Sequence, residues 1–302
     1  MKREFKKYQH VERIGTSEVE GIERGTCYIF PKIDGTNSSL WLSEDKLCAG
    51  SRTRELSLES DNAGFYNWSI KQQNILAFFE SFPHMRLYGE WLVPHSIKTY
   101  DNDAWRQFYV FDVVNDDTDQ YLTYEEYTEL LNQFGINYIP CLCKIENPTY
   151  EQIVEQLDKN HYLISDENKG VGEGVVMKNY QFVNRYGRTT WGKIVTAEFK
   201  ARKGGPNHGK SDKNVDADAL EQRICEAFIT EALVEKEVSK ITNEMGGWDT
   251  KYIPRLLNTI YNCLVTEEMW NIVKKYKNPT INFSRLQYFC NVRTKQCAQK
   301  IF

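Results

Sequence analysis

The chain has 302 residues, 38 Lys plus Arg against 42 Asp plus Glu, a formal net charge of −4, and 41% hydrophobic residues. That length lies near the ceiling for one hydrophobic core, so two domains are expected, and the balanced charge excludes a long disordered acidic or basic chain. Taken as an average, the mild acidity also argues against a nucleic-acid partner.

The start of the chain is polar and charged, with no apolar h-region, and no run of about eighteen apolar residues follows it, so an intracellular, cytoplasmic protein without membrane contact is expected. Strands are expected at 26–30, 37–42, 85–93, 108–114, 138–144 and 174–179, which are rich in β-branched and aromatic residues. Helical periodicity separates them at 72–82, 124–134 and 150–159. The last two open with Thr123 and Thr149, each followed three residues on by Glu126 or Gln152, the pattern of a capping box. Because strands also follow strands directly, this is α+β rather than a βαβ alternation.

The texture changes near residue 200. Residues 201–213 carry Gly204, Gly205, Pro206 and Gly209 among several charges, which is linker composition. Beyond it strand signals vanish, and helices are expected at 216–242, 252–264, 267–276 and 283–300. The expected organisation is a mixed domain over 1–205 and a small all-helical domain over 206–302.

Eight cysteines show no Cys-x-x-Cys pair, and the five histidines never fall at i, i+4, so neither a disulfide framework nor structural zinc is expected. Charge is unevenly spread. Residues 1–176 hold 17 basic and 29 acidic side chains, 177–250 hold 12 and 11, and 251–302 hold 9 and 2. The acidic first half therefore masks a basic tail. Residues 177–213 also interleave cations with Tyr180, Phe182, Tyr186, Trp191 and Phe199, a mixture suited to neutralising phosphates and stacking on bases, although a solvated charged face has the same composition.

The sharpest local feature is Phe30-Pro31-Lys32-Ile33-Asp34-Gly35-Thr36-Asn37, between two expected strands. A lysine just past a strand can be a nucleophile where neighbouring cations or desolvation favour its neutral form, and Gly35 permits close backbone approach to a nucleotide. A type I′ hairpin turn at Asp34-Gly35 explains the same residues. Further motifs follow in order: Ser51-Arg52-Thr53-Arg54, Leu87-Tyr88-Gly89-Glu90-Trp91, Phe108-Tyr109-Val110-Phe111-Asp112-Val113, Glu173-Gly174-Val175-Val176-Met177-Lys178 and Trp191-Gly192-Lys193-Ile194-Val195. Gly187 to Lys193 also satisfies Gly-x-x-x-x-Gly-Lys, but Ile194 cannot ligate magnesium and β-branched residues follow where a P-loop needs a helix.

Across residues 26–200 this ordered set resembles the covalent nucleotidyltransferase superfamily of polynucleotide ligases and capping guanylyltransferases, most closely the nick-sealing type-2 RNA ligases of phages. The resemblance implies a fold of ATP-grasp-like antiparallel sheets with flanking helices. It implies ATP as AMP donor, a magnesium or manganese ion, and a monomer acting on RNA with 3′-hydroxyl and 5′-phosphate ends, at nicks in duplex RNA. By the same resemblance, Lys32 is the nucleophile that becomes lysyl-AMP, Glu173 helps hold the metal, and Lys193 neutralises the α-phosphate. Arg52 binds phosphate, Glu90 accepts from a ribose hydroxyl, Phe111 stacks on the purine, and Ile33 and Lys178 join the cofactor contacts. Asn37, Arg52, Lys200, Arg202 and Lys203 are implied on the substrate side. Two positions depart from the family pattern. Val195 stands where a second lysine is usual, so that either Lys178 or Lys200 supplies the extra cation or Lys193 alone suffices, and Pro31 stands where an acidic residue often lies beside the adenine amine. A DNA ligase, a capping-type guanylyltransferase, and a catalytically silent nucleotide sensor are the alternatives; the helical tail, where the first two usually carry a β-barrel, favours an RNA ligase.

Overall fold

Two five-stranded sheets face one another in the N-terminal part of the chain. The computed structural model describes residues 2–95, 97–196, 220–299 and 301. The chain divides into two compact units, Met1–Lys200 and Ala201–Phe302, and the expected boundary at 205 lies outside the described residues, as does the linker at 201–213.

In the first unit the strands are β1 (Glu12–Arg13), β2 (Thr26–Lys32), β3 (Thr36–Ser43), β4 (Lys46–Ser51), β5 (Met85–Trp91), β6 (Phe108–Asn115), β7 (Gln120–Tyr121), β8 (Cys143–Glu146), β9 (Gly174–Lys178) and β10 (Gly192–Val195). One sheet has the order β1-β10-β9-β2-β8 and the other β4-β3-β5-β6-β7. Helices α1 (Phe65–Ser69), α2 (Gln73–Ser81), α3 (Tyr124–Gln133) and α4 (Tyr150–Val154) accompany them.

Alternation along each strand decides what is buried where. The odd positions of β2 and β9 (Cys27, Ile29, Val175, Met177) form one core with Ile153 and Leu157 near α4. In the other sheet Leu40, Leu87, Trp91 and Val113 pack with Phe65, Phe78, Phe79, Tyr127 and Leu131 from the helices. The remaining faces, which carry Phe30, Lys32 and Lys178 on one sheet and Asp112 on the other, meet between the sheets. Both expected capping boxes form, at Thr123 with Glu126 and at Thr149 with Gln152. α4 is a five-residue helix, shorter than expected, followed by turns to residue 159.

The strand expected at 138–144 forms only from Cys143; Tyr138 instead makes a single parallel bridge to Val110. Residues 192–195 form β10, so the Gly-Lys dipeptide opens a strand, not the helix of a P-loop. The sequence reading also missed β4, a short hairpin partner of β3.

The second unit holds α5 (Leu220–Phe228), α6 (Glu231–Met245), α7 (Ile253–Glu267), α8 (Met269–Tyr276) and α9 (Phe283–Cys297). Ile224, Val234, Ile241, Leu256, Ile260, Leu264, Ile272 and Leu286 are in its core. The single helix expected at 216–242 is two, because Thr230 caps a new helix by accepting from the Leu233 N–H.

Candidate active site

Lys32 ends β2, and the register across the sheet places its neighbours. Lys32 pairs with Gly174 on β9, and Gly174 pairs with Val195 on β10. One row over, Phe30 pairs with Val176 and Val176 with Lys193. Directly paired residues project from the same face, so Lys193 shares the face of Lys32. Val195 occupies the place in the Lys32 row where the family's second lysine would lie. Gly174 is required there: a Cβ on it would meet the Ile194 carbonyl oxygen at 2.1 Å.

Glu173 immediately precedes β9, is 8% exposed, and its Oε2 lies 2.5 Å from Lys32 Nζ. Glu90 comes from β5 of the other sheet, where it pairs with Asn37 on β3. Its Oε1 accepts from the Gly35 N–H at 3.0 Å. Burial pushes the Glu90 carboxyl up to about 7; the Lys32 ammonium opposes this shift and the Glu173 carboxylate adds to it. The Lys32–Glu173 contact, and the hydrogen bond that ties Glu90 to Gly35 three residues after Lys32, bring these side chains to one end of the space between the sheets.

The Asp34-Gly35 pair is not a hairpin turn, because β2 and β3 belong to different sheets. Gly35 is nevertheless sterically required. An added Cβ would meet the Trp91 carbonyl oxygen at 2.5 Å and Glu90 Cγ at 2.9 Å, so the close approach is to β5. Asp34 is buried: its Oδ2 accepts from the Ile97 N–H at 2.9 Å, and its own N–H donates to the Tyr100 hydroxyl at 2.9 Å. His95, also buried, lies with Nδ1 3.8 Å from Asp34 Oδ1. The sequence reading had assigned neither His95 nor Tyr100, since their approach to residue 34 is purely tertiary.

Phe111 is the extra residue of a β-bulge. Tyr88 pairs with Asp112 but Gly89 pairs with Val110, leaving Phe111 without a partner on β5. A bulge re-aims a side chain and often does so beside a site. The ring lies 4.9 Å from that of Tyr8 and is half-buried between the sheets.

Lys178, expected among the cofactor contacts, is 2% exposed and sits in the seam between the sheets. Its Nζ donates to Asp112 Oδ1 at 2.8 Å and to the Phe111 carbonyl oxygen. Asp112 Oδ2 accepts from Tyr8 Oη at 2.5 Å and Trp191 Nε1 at 3.1 Å. Around the ammonium stand Phe30, Trp191 and Phe111, with ring centroids at 4.8, 5.6 and 5.9 Å. This lysine therefore joins the sheets and holds the bulge carbonyl. Desolvation lowers its pKa, opposed by Asp112. Ile33 is likewise 3% exposed, with its side chain in the apolar cluster that includes Phe30, Leu92 and Tyr100.

Arg52 follows β4 with an exposed side chain, its Nη2 3.3 Å from His10 Nδ1. Arg54 differs: its guanidinium donates to the carbonyls of Ser60 at 3.1 Å and Asp61 at 3.3 Å, pinning the loop that leads to α1. Asn62 of that loop donates to Thr36 Oγ1 at 3.1 Å, so the loop is tied to the Lys32 motif. Asn37 Oδ1 is buried without a hydrogen-bond donor among the described residues. Lys200, Arg202 and Lys203 lie outside the described residues.

Among the described residues no cluster of three or more His, Cys, Asp or Glu is arranged to hold a metal. Magnesium is commonly held by one or two carboxylates together with substrate phosphates, and Glu173 offers such a carboxylate. All eight cysteines are free. No described helix is long and apolar enough to cross a membrane.

The family model for RNA ligase matches residues 25–195, a span that runs from β2 to the end of β10. No curated protein matches the chain. Solved structures that resemble it include Naegleria gruberi RNA ligase with PPi, with a TM-score of 0.51 at 22% identity over 67% of this chain and 59% of that one. A variant of the same ligase with AMP and Mn has a TM-score of 0.51 at 22% identity, covering 66% and 58%. Another, with ATP and Mn, has 0.50 at 23%, also covering 66% and 58%. The chain thus spans less than two thirds of the ligase it resembles, and the likeness is one of fold: two facing sheets with flanking helices, the nucleotidyltransferase arrangement. With the family match extending over more than half of its length, the chain belongs to the RNA ligase family.

Proposed function

We propose that the chain is an ATP-dependent RNA ligase that joins 3′-hydroxyl and 5′-phosphate ends at nicks in duplex RNA. The observation that carries this reading is the contact between Lys32 and Glu173 beside Glu90, within the family's matched span. First, neutral Lys32 Nζ attacks the α-phosphorus of ATP; a phosphoramidate bond forms and pyrophosphate leaves. The AMP then passes to an oxygen of the RNA 5′-phosphate, restoring the lysine. Finally the 3′-hydroxyl attacks that phosphate, forms the phosphodiester and expels AMP.

The chain's own residues act by position and charge, as phosphoryl transfer generally requires. Glu173 is within proton-transfer distance of Nζ, and an amine must lose its proton before attack. Lys193 shares the attacking face and offsets charge at the α-phosphate, with Val195 leaving it without a second lysine in the Lys32 row. Arg52 projects an exposed guanidinium for phosphate. The re-aimed ring of Phe111 supplies a stacking surface for the purine, and Asn37 with its buried Oδ1 faces the end to be joined. A divalent ion on Glu173 and the ATP phosphates would neutralise charge on the transferring group. The helical unit, with Lys200, Arg202 and Lys203 leading to it, holds the nucleic acid. The chain acts as a monomer in this reading, and the eight free thiols accord with a reducing, cytoplasmic compartment.

Incubation with α-labelled ATP or GTP tests the chemistry. An acid-stable labelled protein from ATP, absent in Lys32→Ala, is expected. Label that persists in Lys32→Ala overturns the nucleophile, and label from GTP alone favours capping. Sealing of nicked RNA but not nicked DNA duplex separates the two ligases, and no label at all with wild type favours a silent sensor.

A further inference from the structure

The helical unit has a groove that none of the roles above uses. Its walls are α5 and α9, and it is an open cleft of about 150 Å³ lined by Gln222 and Glu226 from α5 and Tyr288, Phe289, Arg293 and Gln296 from α9. That is below the roughly 300–1,000 Å³ of a drug-sized site, so the cleft suits a single small planar group and not a larger ligand.

The chemistry of the lining is specific. α9 buries Leu286, Cys290 and Thr294, whose spacing of four turns Tyr288 to the outside, where it is 63% exposed. Its ring meets that of Phe289 edge-on at 5.2 Å, so two aromatic rings border the groove. On the opposite wall Gln222 Nε2 donates to Glu226 Oε1 at 3.0 Å, fixing an amide and a carboxylate side by side. Arg293 donates from Nε to the Ile229 carbonyl at 3.3 Å, which anchors the base of its guanidinium. The cations come from the α9 wall, which carries Arg285, Arg293 and Lys295 and no Asp or Glu, while α5 brings Glu226 and also Glu221, which lies 4.0 Å from Arg285.

A planar stacking face, edge donors and acceptors opposite it, and cations along the α9 wall together match a nucleotide better than a peptide or a lipid. We propose that the groove between α5 and α9 binds one unpaired nucleobase of the RNA, stacked on Tyr288, with flanking phosphates on Arg293 and Lys295. The Glu226 carboxylate accepts from an exocyclic amine, which selects adenine, cytosine or guanine over uracil. This rests on the reading of RNA as the substrate, and it adds a second base-recognition point in a unit separate from the Lys32 site.

The test uses the full chain and RNA carrying a single 2-aminopurine, either unpaired or within a duplex. Wild type is expected to quench the unpaired probe and to bind it more tightly than the paired one. Tyr288→Ala should lose the quenching and weaken binding about tenfold, in the range of one base–aromatic stack, whereas Tyr288→Phe keeps both. Label on Lys32 from ATP should be the same in all three proteins. Equal quenching and affinity in Tyr288→Ala and wild type would overturn the proposal. Failure of wild type to take label from ATP would instead defeat the ligase reading, while the fluorescence titration still reports on the groove.

Discussion

Lys32 Nζ and Glu173 Oε2 lie 2.5 Å apart although 141 positions separate them in the chain. The antiparallel register of β2 on β9 produces this contact, because it pairs Lys32 with Gly174, the next residue after Glu173. Glu173→Gln keeps the shape and removes the charge and the proton acceptor. Formation of the lysyl adduct from ATP should slow by about a hundredfold or more, while the circular dichroism spectrum stays that of wild type. Rapid-quench labelling measures the rate, and an unchanged rate would remove Glu173 from the chemistry.

Glu90 makes the stability of the first unit depend on pH. Desolvation, reinforced by Glu173 and Asp34, pushes its carboxyl up to about 7, against about 4.3 for an unfolded glutamate. Between those values the folded protein retains a proton that the unfolded chain has lost. The contribution of Glu90 to stability therefore falls as pH rises from about 4 to about 7 and is level above that. Glu90→Gln has no such slope, so its Tm relative to wild type should climb across this window. Thermal scans at several pH values check it; a difference independent of pH contradicts the assignment.

Asp112 and Lys178 form an ion pair that is almost wholly buried, with Asp112 at 0% exposure and Lys178 at 2%. Removing one partner of such a pair typically costs about 3–5 kcal/mol, because the other charge is left without compensation. The two removals should differ here. After Lys178→Met, Asp112 still accepts from Tyr8 and Trp191. After Asp112→Asn, an amide oxygen can still accept from the ammonium, but the opposing charge is gone and the NH2 group faces the Trp191 Nε1 donor, so the buried ammonium is left uncompensated. Urea unfolding should thus show the larger loss for Asp112→Asn, and the reverse order would show that Tyr8 and Trp191 do not support the carboxylate.

Arg52 and Arg54 sit two residues apart and should respond oppositely to truncation. Arg52 projects outward, so Arg52→Ala should slow adduct formation by about a hundredfold with unfolding unchanged. Arg54 holds two loop carbonyls, so Arg54→Ala should cost about 1–3 kcal/mol of stability. Paired unfolding and labelling assays distinguish the effects. Loss of stability in Arg52→Ala would show that its contact with His10 is structural.

Much of this arrangement was legible from residue order. The β-branched and aromatic residues of 26–30, 37–42 and 108–114, the threonine caps, and the cations massed toward the end of the chain are local properties, and local composition determines element type and surface charge. The ordered motifs likewise singled out Lys32, Glu90 and Glu173 before any geometry was known. Tertiary structure decided what no short window contains. It placed Lys178 against Asp112 in the seam between the sheets, made Phe111 the unpaired residue of a bulge, and gave Gly35 to the approach of β5, not to a turn. It also separated Arg52 from Arg54. The physical reason is the same in each case: sheet register and close approach join residues tens of positions apart, and whether a lysine meets a phosphate or a buried carboxylate depends on which strand lies opposite it.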